Sequence, residues 1–188
     1  MKVLGQVVQL LHSLYLHSKK RMQALLSSQQ LQEAINGLAV SLHEKHGNLA
    51  DVVFVGIQQG GAILGANIVA ALQQLSGPHP VQYGQLDITF YRDDIRKEIL
   101  APDPMHIPFP IENKTVVLID DVLFTGRTIK AALDVLLDYG RPAKVELCVL
   151  IDRKEHRQFP IQADYVGKTV ETGRNDKVKL VNGEVVLL

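Results

Sequence analysis

The 188-residue sequence has little of several features that mark particular classes of protein. It contains one cysteine, Cys148, so a disulfide within the chain is excluded, and a reducing cytoplasm is the expected compartment. Because Cys148 lies in the apolar run 145–150, we predict that it is buried in a strand. No run of ~18 apolar residues occurs, which excludes a membrane-spanning helix. Basic and acidic residues both number 20, which argues against binding nucleic acid over the whole surface but leaves a local basic patch open.

The spacing of apolar and turn residues predicts an α/β protein. Apolar positions recur at helical spacing in three stretches, at residues 28–46, 62–75 and 129–139. Short apolar runs indicate strands at residues 51–57, 81–91, 115–119, 144–151 and 163–167. This alternation of strand and helix is typical of a mostly parallel sheet with helices on both faces. Asn182 and Gly183 lie between two apolar runs and predict a type I′ hairpin within residues 178–188.

Three further sequence patterns support weaker predictions about structure or function. Apolar residues at helical spacing near the N-terminus predict an amphipathic helix. Residues 92–114 hold four prolines, and a loop of that length inside a compact domain is usually functional or mobile. His43 and His46 have the spacing of metal ligands on a helix, but we interpret them as ordinary surface positions.

Residues 116–128 carry the clearest chemical signal. A buried strand is predicted to end at Asp120 and Asp121, after which a short loop, 124–128, opens a helix. Unpaired backbone N–H groups at a helix N-terminus carry partial positive charge, so this loop is suited to hold a phosphate dianion. The two adjacent carboxylates repel each other unless diol hydroxyls or a divalent cation bridge them. The loop consists of Phe124, Thr125, Gly126, Arg127 and Thr128.

The run 116–128 resembles the signature with which type I phosphoribosyltransferases bind 5-phosphoribosyl-1-pyrophosphate (PRPP). More narrowly, the chain is similar over about residues 24–179 to the PyrR family of bacterial regulators of pyrimidine biosynthesis. Many members of that family have uracil phosphoribosyltransferase activity. The Tyr-Arg-Asp-Asp segment at 91–94 and the Ala-Asp-Tyr-Val-Gly-Lys segment at 163–168 are the more specific parts of this resemblance.

The resemblance implies an α/β fold of the type I phosphoribosyltransferase kind. We expect a mostly parallel sheet flanked by helices, with a small hood and a C-terminal hairpin. The extent of the resemblance divides the chain into an accessory N-terminal helix at residues 1–21, outside the match, and a phosphoribosyltransferase domain at residues 22–188. A homo-oligomer, either a dimer or a tetramer, is also expected.

The resemblance also implies roles for individual residues. Loop 124–128 would bind the 5′-phosphate of PRPP, and Asp120 and Asp121 the ribose hydroxyls. The residues expected around the pyrophosphate are Gln58, Gln59 and Gly60, with Arg92 closing over it. Phosphoribosyl transfer passes through an oxocarbenium-like state, so positioning and neutralisation of the leaving group matter more than a protein nucleophile. The expected catalytic residues are therefore Asp120, Asp121 and Arg92.

Two ligands complete the expected site. Mg²⁺ would be carried by the oxygens of PRPP rather than by direct protein ligands, because this ion prefers phosphates and waters to an all-protein cage. Uracil would lie beneath the hood. The residues expected near uracil are Asp152, Arg153, Tyr165 and Val166.

The sequence departs from related families at two positions. PyrR proteins have arginine where this chain has Gly60, so we expect a slow transferase. An arginine at that position should then raise turnover, unless the turn needs glycine for its backbone. Hypoxanthine-guanine relatives carry an acidic residue where this chain has Phe124, whose apolar side chain cannot act as base or acceptor. Purine bases are therefore disfavoured.

Two functions stay open at this point. The first is an enzyme that converts uracil and PRPP to UMP and pyrophosphate. The second is a UMP-responsive regulator that binds the leader RNA of a pyrimidine operon, with weak or no transferase activity. Regulation needs a basic surface able to contact phosphates. Lys154, His156 and Arg157 lie beside the hood, where they either contact nucleic acid or are simply solvated.

Overall fold

The computed structural model of the chain describes residues 23–88 and 105–188. Arg92 and the helix predicted within residues 1–21 lie outside this part of the chain. The strands are β1 (Gln23–Leu26), β2 (Val52–Ile57), β3 (Gln82–Leu86), β4 (Met105–His106), β5 (Thr115–Leu123), β6 (Lys144–Asp152), β7 (Tyr165–Thr169), β8 (Val178–Val181) and β9 (Glu184–Leu187). The helices are α1 (Ser28–His46), α2 (Gly60–Ser76) and α3 (Arg127–Tyr139), and a short 3₁₀ turn covers Lys154–His156.

The main sheet has six strands in the order β4-β3-β2-β5-β6-β7. All neighbouring strands are parallel except β3 and β4, so the predicted mostly parallel sheet is confirmed. Helices α1 and α2 pack on one face and α3 on the other, which buries every residue of β2. A continuous run of β-branched and apolar residues is the pattern that such a doubly covered strand requires.

The second sheet has three strands in the order β1-β9-β8. Strands β8 and β9 form the predicted hairpin, with positive φ angles of 50° at Asn182 and 77° at Gly183, as a type I′ turn requires. Strand β1 was not predicted, because its four residues show no alternation of apolar and polar side chains. It forms by pairing with β9 at the other end of the chain.

The bounds of helix α1 agree with its sequence pattern. Ser27 caps the helix in a capping box, its side chain accepting from the Gln30 backbone while the Gln30 side chain accepts from the Ser27 backbone. The predicted apolar stripe is buried against the sheet. Its residues are Leu31, Ile35, Leu38, Ala39 and Leu42.

Strand β5 is longer than predicted. It continues past the two carboxylates to Leu123, because Val122 and Leu123 pair with Ile151 and Asp152 of β6. The carboxylates therefore belong to the last part of the strand rather than to the turn that follows it.

No helix in the described ranges has the length and hydropathy needed to cross a membrane.

Candidate active site

The two carboxylates of β5 lie against the turn at the start of α2. Asp120 is 6% exposed, and its Oδ1 accepts a hydrogen bond of 3.0 Å from the backbone N–H of Asp121. A Cβ at Gly61 would collide with the Ile119 carbonyl and lie 2.9 Å from the Asp120 Cα atom, so only glycine permits this approach. A Cβ at Gly60 would overlap the Asp121 carboxylate. The structure thus brings the predicted pyrophosphate turn and the predicted ribose-binding carboxylates into contact.

The rest of this turn is fixed to the neighbouring strand. The Gln58 backbone N–H donates to the carbonyl of Leu86 at the end of β3, at 2.9 Å. The peptide bond between Gln58 and Gln59 is cis. Gln58, Gln59 and Gly60 are therefore all at the carboxyl end of the parallel strands, where ligands of open α/β sheets bind.

The loop 124–128 forms the start of α3. Gly126 has a φ of 90°, in the left-handed region that favours glycine, and its carbonyl accepts from the Lys130 backbone N–H at 2.9 Å. The helix begins at Arg127, and no side chain caps it at Gly126. Thr125 Oγ1 accepts from the Arg127 N–H at 3.4 Å. The loop thus ends in the first turn of the helix, whose backbone N–H groups are suited to bind a phosphate group.

The segment 157–161 covers the outer side of this loop. The guanidinium of Arg157 donates from Nη1 to the Phe124 carbonyl and from Nη2 to Asp152 Oδ1, both at 2.5 Å. The Thr125 carbonyl accepts from the backbone N–H of Gln158 at 2.9 Å. Asp152 is 2% exposed and paired with Arg157, so its carboxylate braces the phosphate loop. A contact between the Asp152 backbone and uracil stays a prediction.

Arg153 also has a different arrangement from the one expected. Its guanidinium lies over the Phe124 ring, 3.7 Å from the ring centroid, and the residue is 3% exposed. Its nitrogens donate to the Thr172 hydroxyl at 2.7 Å and to the carbonyls of Gly173 and Asp176 at 3.0 and 3.1 Å. Burial lowers the pKa of the guanidinium, and the charge of Asp176 partly offsets this. The side chain is therefore engaged by the segment that precedes β8, and its expected place beside uracil stays a prediction.

Two cavities flank Phe124. One has a volume of about 520 Å³, which is in the range of small-molecule sites. It is lined by Val122 of β5, by Phe124 and Arg153, which directly follow β5 and β6, and by residues 174–179. The other, of about 390 Å³, is lined by Phe124 and Thr125, residues 155–158, Arg174 and Asn175. Sequence reasoning missed Val122, although the continuation of β5 to Leu123 makes it the strand position next to both carboxylates.

The structure does not bring Tyr165 and Val166 to this site. Tyr165 pairs with Cys148, four positions before the end of β6 at Asp152, and its hydroxyl donates to Glu146 at 2.7 Å. Val166 lines a separate groove of about 630 Å³ between β7 and α1. The register of β7 places both residues at the start of that strand, away from the carboxyl ends where Asp120, Asp121 and Phe124 lie.

The comparison with known proteins agrees with this geometry. A family model described as the phosphoribosyl transferase domain matches residues 22–182. The chain is 47% identical to the bifunctional protein PyrR of Chloroflexus aurantiacus over 156 residues, which is 82% of this chain and 85% of that protein. It is 41% identical to the bifunctional protein PyrR of Bacillus pumilus over 165 residues, or 86% and 91% of the two chains. The chain belongs to the phosphoribosyltransferase family, in its PyrR group.

Solved structures of phosphoribosyltransferases have the same fold. A hypoxanthine phosphoribosyltransferase of Trypanosoma cruzi superposes with a TM-score of 0.71 at 18% identity, covering 88% of this chain and 90% of that one. A hypoxanthine phosphoribosyltransferase of Staphylococcus aureus gives a TM-score of 0.60 at 24% identity, covering 84% and 81%. At such identities the likeness establishes the type I phosphoribosyltransferase fold and nothing about the base.

Proposed function

We propose that this protein transfers the phosphoribosyl group of PRPP to uracil, which gives UMP and pyrophosphate. The observation that carries the proposal is the arrangement of three parts around the end of β5. The turn 58–61 packs on Asp120 and Asp121, and the phosphate loop 124–128 follows the same strand. A phosphorylated sugar with a second anionic group at its other end matches this arrangement.

Each part of PRPP has a chemical counterpart in the site. The backbone donors of loop 124–128 would hold the 5′-phosphate, and Asp120 and Asp121 would accept hydrogen bonds from the ribose hydroxyls. The turn 58–61 would enclose the pyrophosphate. Arg92, outside the described residues, stays a prediction for the cation that closes over the leaving group.

In the transfer itself, N1 of uracil forms a bond to C1 of the sugar as the bond from C1 to the pyrophosphate oxygen breaks. The N1 proton passes to water or to the departing pyrophosphate, and the bonding electrons of the broken bond stay on pyrophosphate. The protein contributes by holding the two reactants in line and by stabilising charge on the departing oxygens.

The residues near the turn also fit Mg²⁺. Asp121 offers carboxylate oxygens next to Gly60, and such hard oxygen ligands suit this ion. Bound with PRPP, Mg²⁺ would supply positive charge to the pyrophosphate. Within residues 23–88 and 105–188 no cluster of three or more His, Cys, Asp or Glu side chains has the arrangement of a metal site. PRPP oxygens are therefore proposed as its main ligands.

The cavity of about 520 Å³ is the proposed place of the base. Val122 and Phe124 contribute apolar surface to its lining, while the Arg153 guanidinium covers one face of the Phe124 ring. Phe124 cannot serve a purine nitrogen as a carboxylate would. Uracil is thus favoured over hypoxanthine and guanine.

A second function is supported by the smaller cavity beside the phosphate loop. His156, Arg157 and Arg174 line it, and it shares Phe124 and Thr125 with the proposed UMP site. We propose that this side of the protein senses UMP and binds the leader RNA of a pyrimidine operon, as a homo-oligomer. Arg157 is already paired with Asp152, and His156 Nε2 lies 3.2 Å from the Thr172 carbonyl, so Arg174 is the better placed to contact RNA phosphates.

The test is a steady-state assay with PRPP, Mg²⁺ and each of uracil, cytosine, hypoxanthine and guanine. We expect turnover with uracil. Thr125→Ala and Asp121→Asn should raise the Michaelis constant for PRPP or lower turnover about tenfold or more while leaving the melting temperature nearly unchanged. Robust turnover of a purine with none of uracil would refute the base assignment. RNA binding is tested separately, by the slope of affinity against salt concentration.

A further inference from the structure

The segment 172–176 has few regular contacts of its own. It connects β7 to β8, and its internal bonds form one small turn, from the Gly173 N–H to Asp176 Oδ2 at 2.8 Å and from the Asp176 N–H to the Gly173 carbonyl at 3.0 Å. His156 Nε2 lies 3.2 Å from the Thr172 carbonyl. On its two flanks, the Val170 N–H donates to the Asp152 carbonyl and Lys177 pairs with Leu188, and between these points the turn offers oxygens to a side chain of the main sheet.

Arg153 supplies that side chain. Nε, Nη1 and Nη2 each donate to a different oxygen between Thr172 and Asp176, at 2.7 to 3.1 Å. The opposite side of the same guanidinium rests on the Phe124 ring at 3.7 Å. A planar fork with fixed donor directions holds its acceptors at set positions, whereas a flexible ammonium does not. Arg153 therefore fixes the distance between the phosphate loop and the turn 172–176.

This distance determines the shape of the larger cavity. The wall opposite Val122 and Phe124 begins at Arg174 and continues to Lys179, so part of it belongs to the turn that Arg153 holds. We propose that Arg153, which lines this cavity, is a positioning residue that sets the height of the base pocket, and so the size of base accepted, through the turn that it holds. The proposal deepens the function proposed above and rests on it.

The experiment compares Arg153→Lys, which keeps the charge but loses the fork and the ring contact, with Thr172→Val, which removes one acceptor. Arg141→Lys, at an exposed position away from the site, is the matched control. For each protein, the Michaelis constants for uracil and for PRPP and the ratio of hypoxanthine to uracil turnover are measured. Amide hydrogen exchange at residues 172–177 is followed without substrates.

We expect the Michaelis constant for uracil to rise about tenfold in Arg153→Lys and about threefold in Thr172→Val, the cost of losing hydrogen bonds to a charged group. The hypoxanthine-to-uracil ratio should rise, and the Michaelis constant for PRPP should stay within about twofold because the phosphate loop keeps its Arg157 brace. Exchange should accelerate at 172–177 and not in α1. Arg141→Lys should match the wild type.

Three results would overturn the inference. The first is unchanged exchange at 172–177 in both variants. The second is faster exchange there with an unchanged Michaelis constant for uracil. The third is an equal rise in the Michaelis constants for uracil and for PRPP, which would indicate that the whole site is damaged rather than the base pocket alone. If Arg153→Lys does not fold, Thr172→Val decides. If the wild type turns over no nucleobase, the proposed function fails, and the exchange measurement alone still decides whether Arg153 holds the turn.

Discussion

Gly60 has no room for a side chain, because a Cβ there would overlap the Asp121 carboxylate. Replacing it with arginine therefore adds a cation but displaces the group expected to bind ribose. We expect Gly60→Ala and Gly60→Arg each to lower turnover with PRPP about tenfold or more. We therefore expect that the turn needs glycine at this position, and that the positive charge of an arginine does not compensate for the displaced carboxylate.

Gly37 provides the matched control for that experiment. It lies on the exposed side of α1, and a Cβ there would meet no atom within 4 Å. Gly37→Ala should leave PRPP kinetics unchanged and raise the free energy of unfolding by about 0.5–1 kcal/mol, the difference in helix propensity. A gain of turnover in Gly60→Arg, with Gly37→Ala unchanged, would contradict our reading of the turn.

A substitution at Phe124 tests which base the site accepts. Introducing the acidic residue of purine-specific relatives places a carboxylate next to the buried guanidinium of Arg153. The two should form an ion pair, which leaves no free acceptor for a purine. We expect Phe124→Asp to gain no hypoxanthine or guanine turnover and to lose about tenfold in uracil turnover with the ring contact. Phe124→Leu, which stays apolar, is the control, and initial rates with all three bases are the measurement.

Among the elements, α1 contacts the main sheet through a buried acid as well as through its apolar stripe. Glu146 of β6 is 1% exposed, and it contacts Lys45 and His46 of α1, at 3.1 and 3.0 Å, and Lys144 and Tyr165, each at 2.7 Å. Burial alone would raise its pKa, but the hydrogen bonds from Lys144, Tyr165, Lys45 and His46 outweigh burial and lower the pKa to about 2. His46 is thus part of a buried cluster, which corrects its expected place on the surface.

This cluster makes stability depend on pH. Because the folded pKa of Glu146 lies below its ordinary value of about 4.3, its stabilisation is complete above that value and is lost as pH falls toward 2. We expect Glu146→Gln to lower the free energy of unfolding at pH 7 by about 2 kcal/mol, with a smaller difference from wild type at pH 3. Urea denaturation at both pH values measures this. Glu44→Gln, on the exposed side of α1, should change stability by less than about 0.5 kcal/mol.

The same elements show what the sequence could predict and what it could not. Helix α1 was predictable in full because its apolar spacing and its cap are local signals. Strand β4, of two residues, exists only through its pairing with β3, so no local pattern marks it. In the site, the phosphate loop and the carboxylates were predictable because they form one continuous sequence motif. The place of Tyr165 depends on the register of β7 against β6, which only the folded sheet determines.

At the scale of the whole molecule, the family match leaves out residues 1–21. The match starts at residue 22, and β1 starts at Gln23 and pairs with β9. We expect deletion of residues 1–21 to leave both the melting temperature and the transferase kinetics unchanged. Thermal unfolding and steady-state rates of the 22–188 protein test this. Loss of both folding and turnover would show that the first residues belong to the domain.

The reactivity of Cys148 reports how often the main sheet opens. The thiol is fully buried between β5 and β7, and burial raises its pKa to about 12. Alkylating reagents attack the thiolate, so the sole thiol of the chain should react only in molecules whose main sheet has opened. A ligand that binds the folded form reduces that population. The rate of alkylation should therefore fall as PRPP is added, which measures its binding without any turnover.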